Sequence, residues 1–285
     1  VSRVAVGEVD GIKDLRRNAV RRVVVKYGAI TLTNLQNQLA YVWDAVGRSI
    51  FIVLILYIFV QLWSSVYASR GGGEIAGLSL TMTIWYFLFA EMIELGKFRH
   101  DQQISDEVKN GTIAYALTRP YHYLIYHFFN GLGETLVKMV LILLLGLPIV
   151  WWSVGFPSIA WTTLPAVVLV LLLALVLDFV MASSIGLLAF VTEDTFSFRL
   201  IYQKLIFILG GLLIPIDFLP EWLQWIARIL PFSQVTYAPA KLFVAFSASQ
   251  FWQVLATQIF WIVVLGCSLR RQYRWSIRRL EVNGG

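Results

Sequence analysis

The chain has 285 residues, 58% of them apolar and 14% charged, with a formal net charge of +6. An average soluble domain is roughly 45–50% apolar and about 25% charged, so this composition excludes an ordinary soluble domain and fits helices that face lipid. The single cysteine, Cys267, leaves neither a disulfide framework nor a Cys-based metal site.

The first 48 residues are polar and basic, and no cleavable signal peptide is expected in them. Residues 1–22 read as a basic N-terminal extension. Residues 23–48 mix apolar and polar positions and carry Tyr41 and Trp43, which predicts an amphipathic helix at the membrane interface. The competing reading is a basic tail that only sets orientation.

Six apolar spans follow, at 49–67, 75–95, 128–152, 161–190, 198–214 and 251–269, each expected to cross a hydrocarbon core of about 30 Å. The first ends in Trp63 and Tyr67, aromatic residues of the kind that sit at headgroup level. A polar break, Thr192-Glu193-Asp194-Thr195, separates spans four and five, and residues 270–285 form a basic tail. Six spans put both termini on one side of the membrane. Nineteen of the 23 Lys and Arg residues fall on that side: eight before span one, four after span two, two after span four and five in the tail. Positive charge marks the cytoplasmic face, so both termini are expected in the cytoplasm. The basic excess is then a topology signal, and no nucleic-acid partner is needed to explain it.

The loop between spans two and three is long and built like a short helix with a defined stop. Ser105 is placed to cap its start, with Asp106 and Glu107 in the first turn. Asn110-Gly111 supports a left-handed exit, and Pro120 closes the segment. Such a helix either docks another protein or simply caps the bundle. Between spans five and six, Trp222, Trp225, Ile226 and Ile229 recur at helical spacing between Pro220 and Pro231. That piece is too short to cross a bilayer and suits a re-entrant or interfacial position.

Two stretches resemble a known family. An acidic residue followed by Gly111-Thr112-Ile113 and then Leu117-Thr118-Arg119-Pro120 is similar to the coupling loop of ABC-2-type transporter permeases, and to one bacterial branch of them in its Leu-Thr-Arg-Pro ending. The stretch from Gly210-Gly211 through Pro215, Pro220 and Trp222 to Pro231 is similar to the segment between the last two spans of such permeases. The resemblance runs from about Arg22 to the sixth span. It implies an all-α exporter permease of the bacterial inner membrane, with the interfacial helix, coupling helix and re-entrant helices named above. It further implies a second permease chain, identical or homologous, and two cytosolic ATPases docked through Ser105, Asp106, Glu107, Gly111, Thr112, Arg119 and Pro120. The chain carries no Gly-x-x-x-x-Gly-Lys-Ser/Thr, so ATP and Mg would sit on the partner ATPase.

Ionisable groups inside spans are costly and therefore candidate sites. They are Glu91 and Glu94 in span two, Glu134 and Lys138 in span three, and Asp178 in span four. One reading has them line a substrate cavity. In the other, Lys138 neutralises Glu134 at i, i+4 and also Asp178, while Glu91 and Glu94 reach interfacial water. His100, His122 and His127 lie close in sequence but lack a converging further ligand, and read as interfacial histidines without a metal. No catalytic arrangement is visible.

The leading expectation is thus the permease of an ATP-driven exporter, with a hydrophobic or amphipathic cargo suggested by the aromatic outer segments. The alternatives are a proton- or sodium-coupled transporter that uses Asp178, Glu134 and Lys138 as a relay, and a lipid-acting membrane enzyme, for which the polar groups are too sparse.

Overall fold

Long runs of Leu, Ile, Val and Phe have one local way to satisfy their backbone in lipid, which is to close each N–H onto the carbonyl four residues back. The computed structural model describes residues 2–192 and 194–283, and these are predominantly helical, with no β-strand among them. Val1, Glu193 of the polar break and Gly284–Gly285 of the tail lie outside the described residues, as do the side chains of Arg3, Lys13, Arg16, Arg17 and Arg48.

Helix α1, Ser2–Ala40, runs unbroken through the boundary expected at residue 22. After a turn at Tyr41, α2 (Val42–Ser49) leads into α3 (Phe51–Ser69). The chain reverses over residues 70–79, where Gly71, Gly72 and Gly77 take φ values of 84°, 78° and 76°, a region open to glycine and strained for other residues. Ser79 then accepts from the Met82 N–H at 3.2 Å and caps α4, Leu80–Gly96. Helices α5 (His100–Lys109) and α6 (Thr112–Leu117) build the loop, followed by α7 (Tyr123–Val154) and α8 (Leu164–Gly186). The rest is α9 (Phe196–Leu209), α10 (Glu221–Ile229), α11 (Tyr237–Val244) and α12 (Ala248–Asn283).

Four helical stretches among the described residues are long and apolar enough to cross a membrane: Val42–Ser69, Tyr123–Val154, Trp161–Phe190 and Ala248–Arg279. The other two expected spans are shorter, with 17 residues in α4 and 14 in α9. At about 1.5 Å per residue, α9 stops well before the end expected at Ile214. The cause is local. Gly211 takes φ +74°, and Pro215 cannot continue a helix. The hydroxyls of Thr236 and Tyr86 donate to the carbonyls of Gly210 and Gly211, groups that a helix end leaves free. Span six also departs from expectation, because α12 carries the basic tail onward as helix to Asn283.

The apolar core centres on α4, which packs against α3, α7 and α11 and buries Ile84, Trp85, Tyr86, Phe87 and Leu88. Helices α8 and α12 run parallel. Gln258 donates to the Val170 carbonyl at 3.1 Å, and fourteen residues on in both helices Gln272 donates to the Ser184 carbonyl at 2.8 Å.

Helix α1 lies along the first turns of α7. Thr31 Oγ1 donates to the Phe129 carbonyl at 2.8 Å, Asn34 to Asn130 at 3.3 Å and Gln38 to Glu134 at 3.3 Å. Gly133 permits this approach, since a Cβ there would stand 2.6 Å from the Thr31 carbonyl oxygen; small residues are how membrane helices come close. Beyond α1, Tyr41 and Trp43 are 72% and 84% exposed. The outer faces of α3, α7, α8 and α12 expose Leu54, Leu144, Trp152, Leu172 and Phe260, a surface that lipid would cover.

Candidate functional site

The loop helix starts at His100, with Arg99 in the N-cap position, five residues before the start expected at Ser105. Ser105 instead sits mid-helix and buried, its Oγ 2.8 Å from Thr195 Oγ1, and fastens α5 to the turn before α9. Asp106 faces solvent, while Glu107 turns inward. Glu107 Oε2 accepts from the Tyr123 hydroxyl at 2.7 Å and lies 3.2 Å from His127 Nε2, and Oε1 accepts from Gln103 at 3.0 Å. Burial alone pushes the Glu107 carboxyl up, but the hydrogen bonds from His127, Tyr123 and Gln103 outweigh it and hold the group below its ordinary range.

The left-handed exit is present, with Gly111 at φ +70° between α5 and α6. Thr112 Oγ1 reaches back 3.4 Å to the Glu107 carbonyl. Arg119 donates to the Tyr121 hydroxyl at 2.8 Å and stacks over Tyr115, and the Pro120 carbonyl accepts from Lys26 of α1 at 2.5 Å. Ile104 and Ile113 are fully buried beneath. Gly186 at the end of α8 makes room for Ile104, whose Cβ would stand 2.8 Å from a Cβ placed there. The outer side of the loop is an open groove of about 360 Å³ lined by Arg99, Gln102, Gln103, Asp106 and Asn110.

Two of the membrane charges, Glu94 and Asp178, gather around a residue that charge counting assigns to the loop. Lys97, just past the end of α4, is 6% exposed. Its Nζ lies 2.6 Å from Glu94 and 3.0 Å from Asp178, and the Tyr202 hydroxyl donates to Asp178 at 2.6 Å. Asp178 is thus paired with Lys97 and not with Lys138. Lys138 holds Glu134 at 2.6 Å on its own helix, where Gln38 also reaches the carboxylate. Glu91 is 5% exposed and Glu94 11%, so neither opens to interfacial water as expected. The Glu94–Lys97 spacing of i, i+3 was the available signal; nothing in the order of residues ties Lys97 to Asp178, 81 positions on.

The histidines also move inward. His127 is 2% exposed against Glu107, and His100 is 6% exposed between the rings of Phe98 and Phe179. Burial lowers the His100 pKa to about 3, which keeps the ring neutral. No group of three or more His, Cys, Asp or Glu side chains among the described residues could hold a metal.

At the opposite end, Pro215 and Pro231 each open a short 3-10 turn and Pro220 precedes α10. Trp222 and Trp225 point outward at 66% and 68% exposure, while Ala227 is buried. Asp217 gathers Lys241 at 2.8 Å, the Tyr237 hydroxyl at 2.9 Å and Arg228 at 3.2 Å. This cluster escapes sequence reading, because turns bring together residues 11, 20 and 24 positions away.

Apolar helices long enough to span a bilayer, with a helical loop packed under one end of them, define an integral membrane protein. The sequence profile of the ABC-2 family transporter proteins matches residues 50–284, and the chain belongs to that family. It is accordingly a membrane permease of an ABC transporter, in a family whose members work with ATPase partners. A comparison with curated proteins finds no match.

Proposed function

We propose that this permease exports a hydrophobic or amphipathic compound, such as a drug, lipid or natural product, across a bacterial inner membrane. Two ATPases power it by docking on α5–α6, and a second permease chain, identical or homologous, completes the assembly. ATP and Mg belong to the ATPases. The Leu117-Thr118-Arg119-Pro120 ending favours the bacterial branch that carries it. Six crossings are made by α3, α4, α7, α8, α9 with the turns that follow it, and α12, with both termini in the cytoplasm. The sidedness is supported by the packing: α5, the start of α7, the end of α8 and the basic half of α12 meet at one end of the bundle.

The observation that carries the reading is the division of labour on α5. Glu107, the acidic residue before Gly111-Thr112-Ile113, is spent inward on α7 through Tyr123 and His127, and Ser105 holds Thr195. Asp106, Gln102 and Asn110 stay free on the outer side. A load applied there reaches α7, α8 and α9 directly. The test is co-purification with a co-expressed ABC ATPase from the same genome, for wild type and Asp106→Arg. Because Asp106 is exposed, its variant is expected to fold normally, lose the ATPase and stop drug- or lipid-stimulated hydrolysis. Unaltered co-purification and coupling in Asp106→Arg would refute docking at this surface.

A further inference from the structure

We infer that the cavity beside Asp217 is a binding site for an anionic headgroup that carries hydroxyl groups, such as a phosphate ester of glycerol. The cavity lies between α10–α11 and the start of α12, measures about 220 Å³, and is lined among others by Arg228, Lys241, Gln234, Gln253 and Thr257. Pockets for whole drug-sized ligands run about 300–1,000 Å³, so this one has room for a headgroup and leaves any acyl chains outside.

Its chemistry selects the ligand. Asp217 already receives three donors, from Lys241, Tyr237 and Arg228. Two cations against one carboxylate leave one positive charge over, and an arginine beside an open cavity is suited to an oxyanion. A second requirement comes from Gln234. It is 6% exposed, its amide nitrogen donates to Ser233 at 3.2 Å, and its Oε1 has no partner in the structure. A buried acceptor of this kind is satisfied by a donor from the ligand, which a bare anion lacks and a hydroxylated one supplies. Gln250 and Gln253 line the exposed side of the cavity and offer both donors and acceptors. Trp222 and Trp225, outward on α10, place the cavity beside a surface suited to the headgroup region.

The proposed topology puts this cavity in the outer leaflet, whereas binding itself does not rest on that topology. The experiment is native mass spectrometry of the detergent-purified chain without an ATPase, titrated with phosphatidylglycerol or phosphatidylcholine. Wild type is expected to prefer phosphatidylglycerol about tenfold, the worth of one charge-assisted hydrogen bond, and Arg228→Gln to lose that preference at unchanged thermal stability. Gln253→Leu, on the exposed side of α12, provides a second variant expected to weaken binding. Competition by glycerol 1-phosphate supports a site that reads the free headgroup; selectivity without competition supports a membrane lipid. Equal binding of both lipids by wild type, or a preference retained in both variants, overturns the inference. Either result leaves the permease assignment and its docking test untouched.

Discussion

Lys97 Nζ lies 3.0 Å from Asp178 Oδ1 and ties the end of α4 to α8 in the buried interior. Glu94 shares the same ammonium at 2.6 Å, so removing Lys97 leaves two carboxylates buried without their cation. Breaking a buried pair by removing one partner typically costs about 3–5 kcal/mol. Lys97→Met should therefore lower the unfolding temperature in detergent far more than Asp178→Asn, which keeps an acceptor for Tyr202 and leaves Lys97 with Glu94. Equal losses in the two variants would show that Lys97 is not the hub.

Glu107 gives the loop a pH dependence with a definite sign. Hydrogen bonds hold its folded-state pKa below the ordinary carboxylate value, against the upward push of burial. Its stabilising contribution is then complete above that ordinary value and is lost as pH falls through the lowered one. Glu107→Gln keeps an acceptor for Tyr123 but no charge. The difference in melting temperature between wild type and Glu107→Gln should be greatest above the ordinary carboxylate value and close as pH falls below it. A difference that grows on acidification would contradict the assigned shift.

Helix α1 is braced on α7 most tightly at Gly133, beside the hydrogen bonds from Thr31, Asn34 and Gln38. A side chain at Gly133 would press on the Thr31 carbonyl, 2.6 Å from its Cβ, and overpacking of this sort costs about 1–3 kcal/mol. In a Cys267→Ser background, cysteines at Asn34 and Asn130, whose native amide groups meet at 3.3 Å, should be joined by a short bifunctional thiol reagent. Adding Gly133→Val should suppress the cross-link while leaving the apolar spans folded. Undiminished cross-linking would mean that α1 does not depend on this approach.

What the sequence makes legible follows the range of the interactions. Length and hydropathy are local, so the long spans near residues 49–67, 128–152, 161–190 and 251–269 are readable and coincide with helical stretches able to cross. The end of α9 is not, because Gly211 and the hydroxyls of Tyr86 and Thr236 stop it together and two of the three lie far along the chain. Ser105 looks like a cap for the same reason: its true partner, Thr195, is 90 residues away. Lys97 is the instructive case. Counting charges treats every Lys as a marker of the water side, but a lysine that follows a buried Glu by three residues can turn back into the protein, and its second partner is supplied only by the fold.

Helix α10 makes a claim about lipid contact that can be measured directly. Pro220 starts it, Ala227 faces the protein, and Trp222 and Trp225 stand outward at 66% and 68% exposure. If α10 lies at the membrane interface, brominated lipids should quench these two indoles strongly. The chain has 11 tryptophans, so the readout is the difference between wild type and a Trp222→Phe, Trp225→Phe variant. The variant should lose more of the lipid-quenchable fluorescence than two average tryptophans would carry, with bromine near the headgroup quenching better than bromine deep in the acyl chain. Quenching by aqueous iodide instead, with no loss of lipid quenching in the variant, would place α10 in water and remove the re-entrant segment from the membrane.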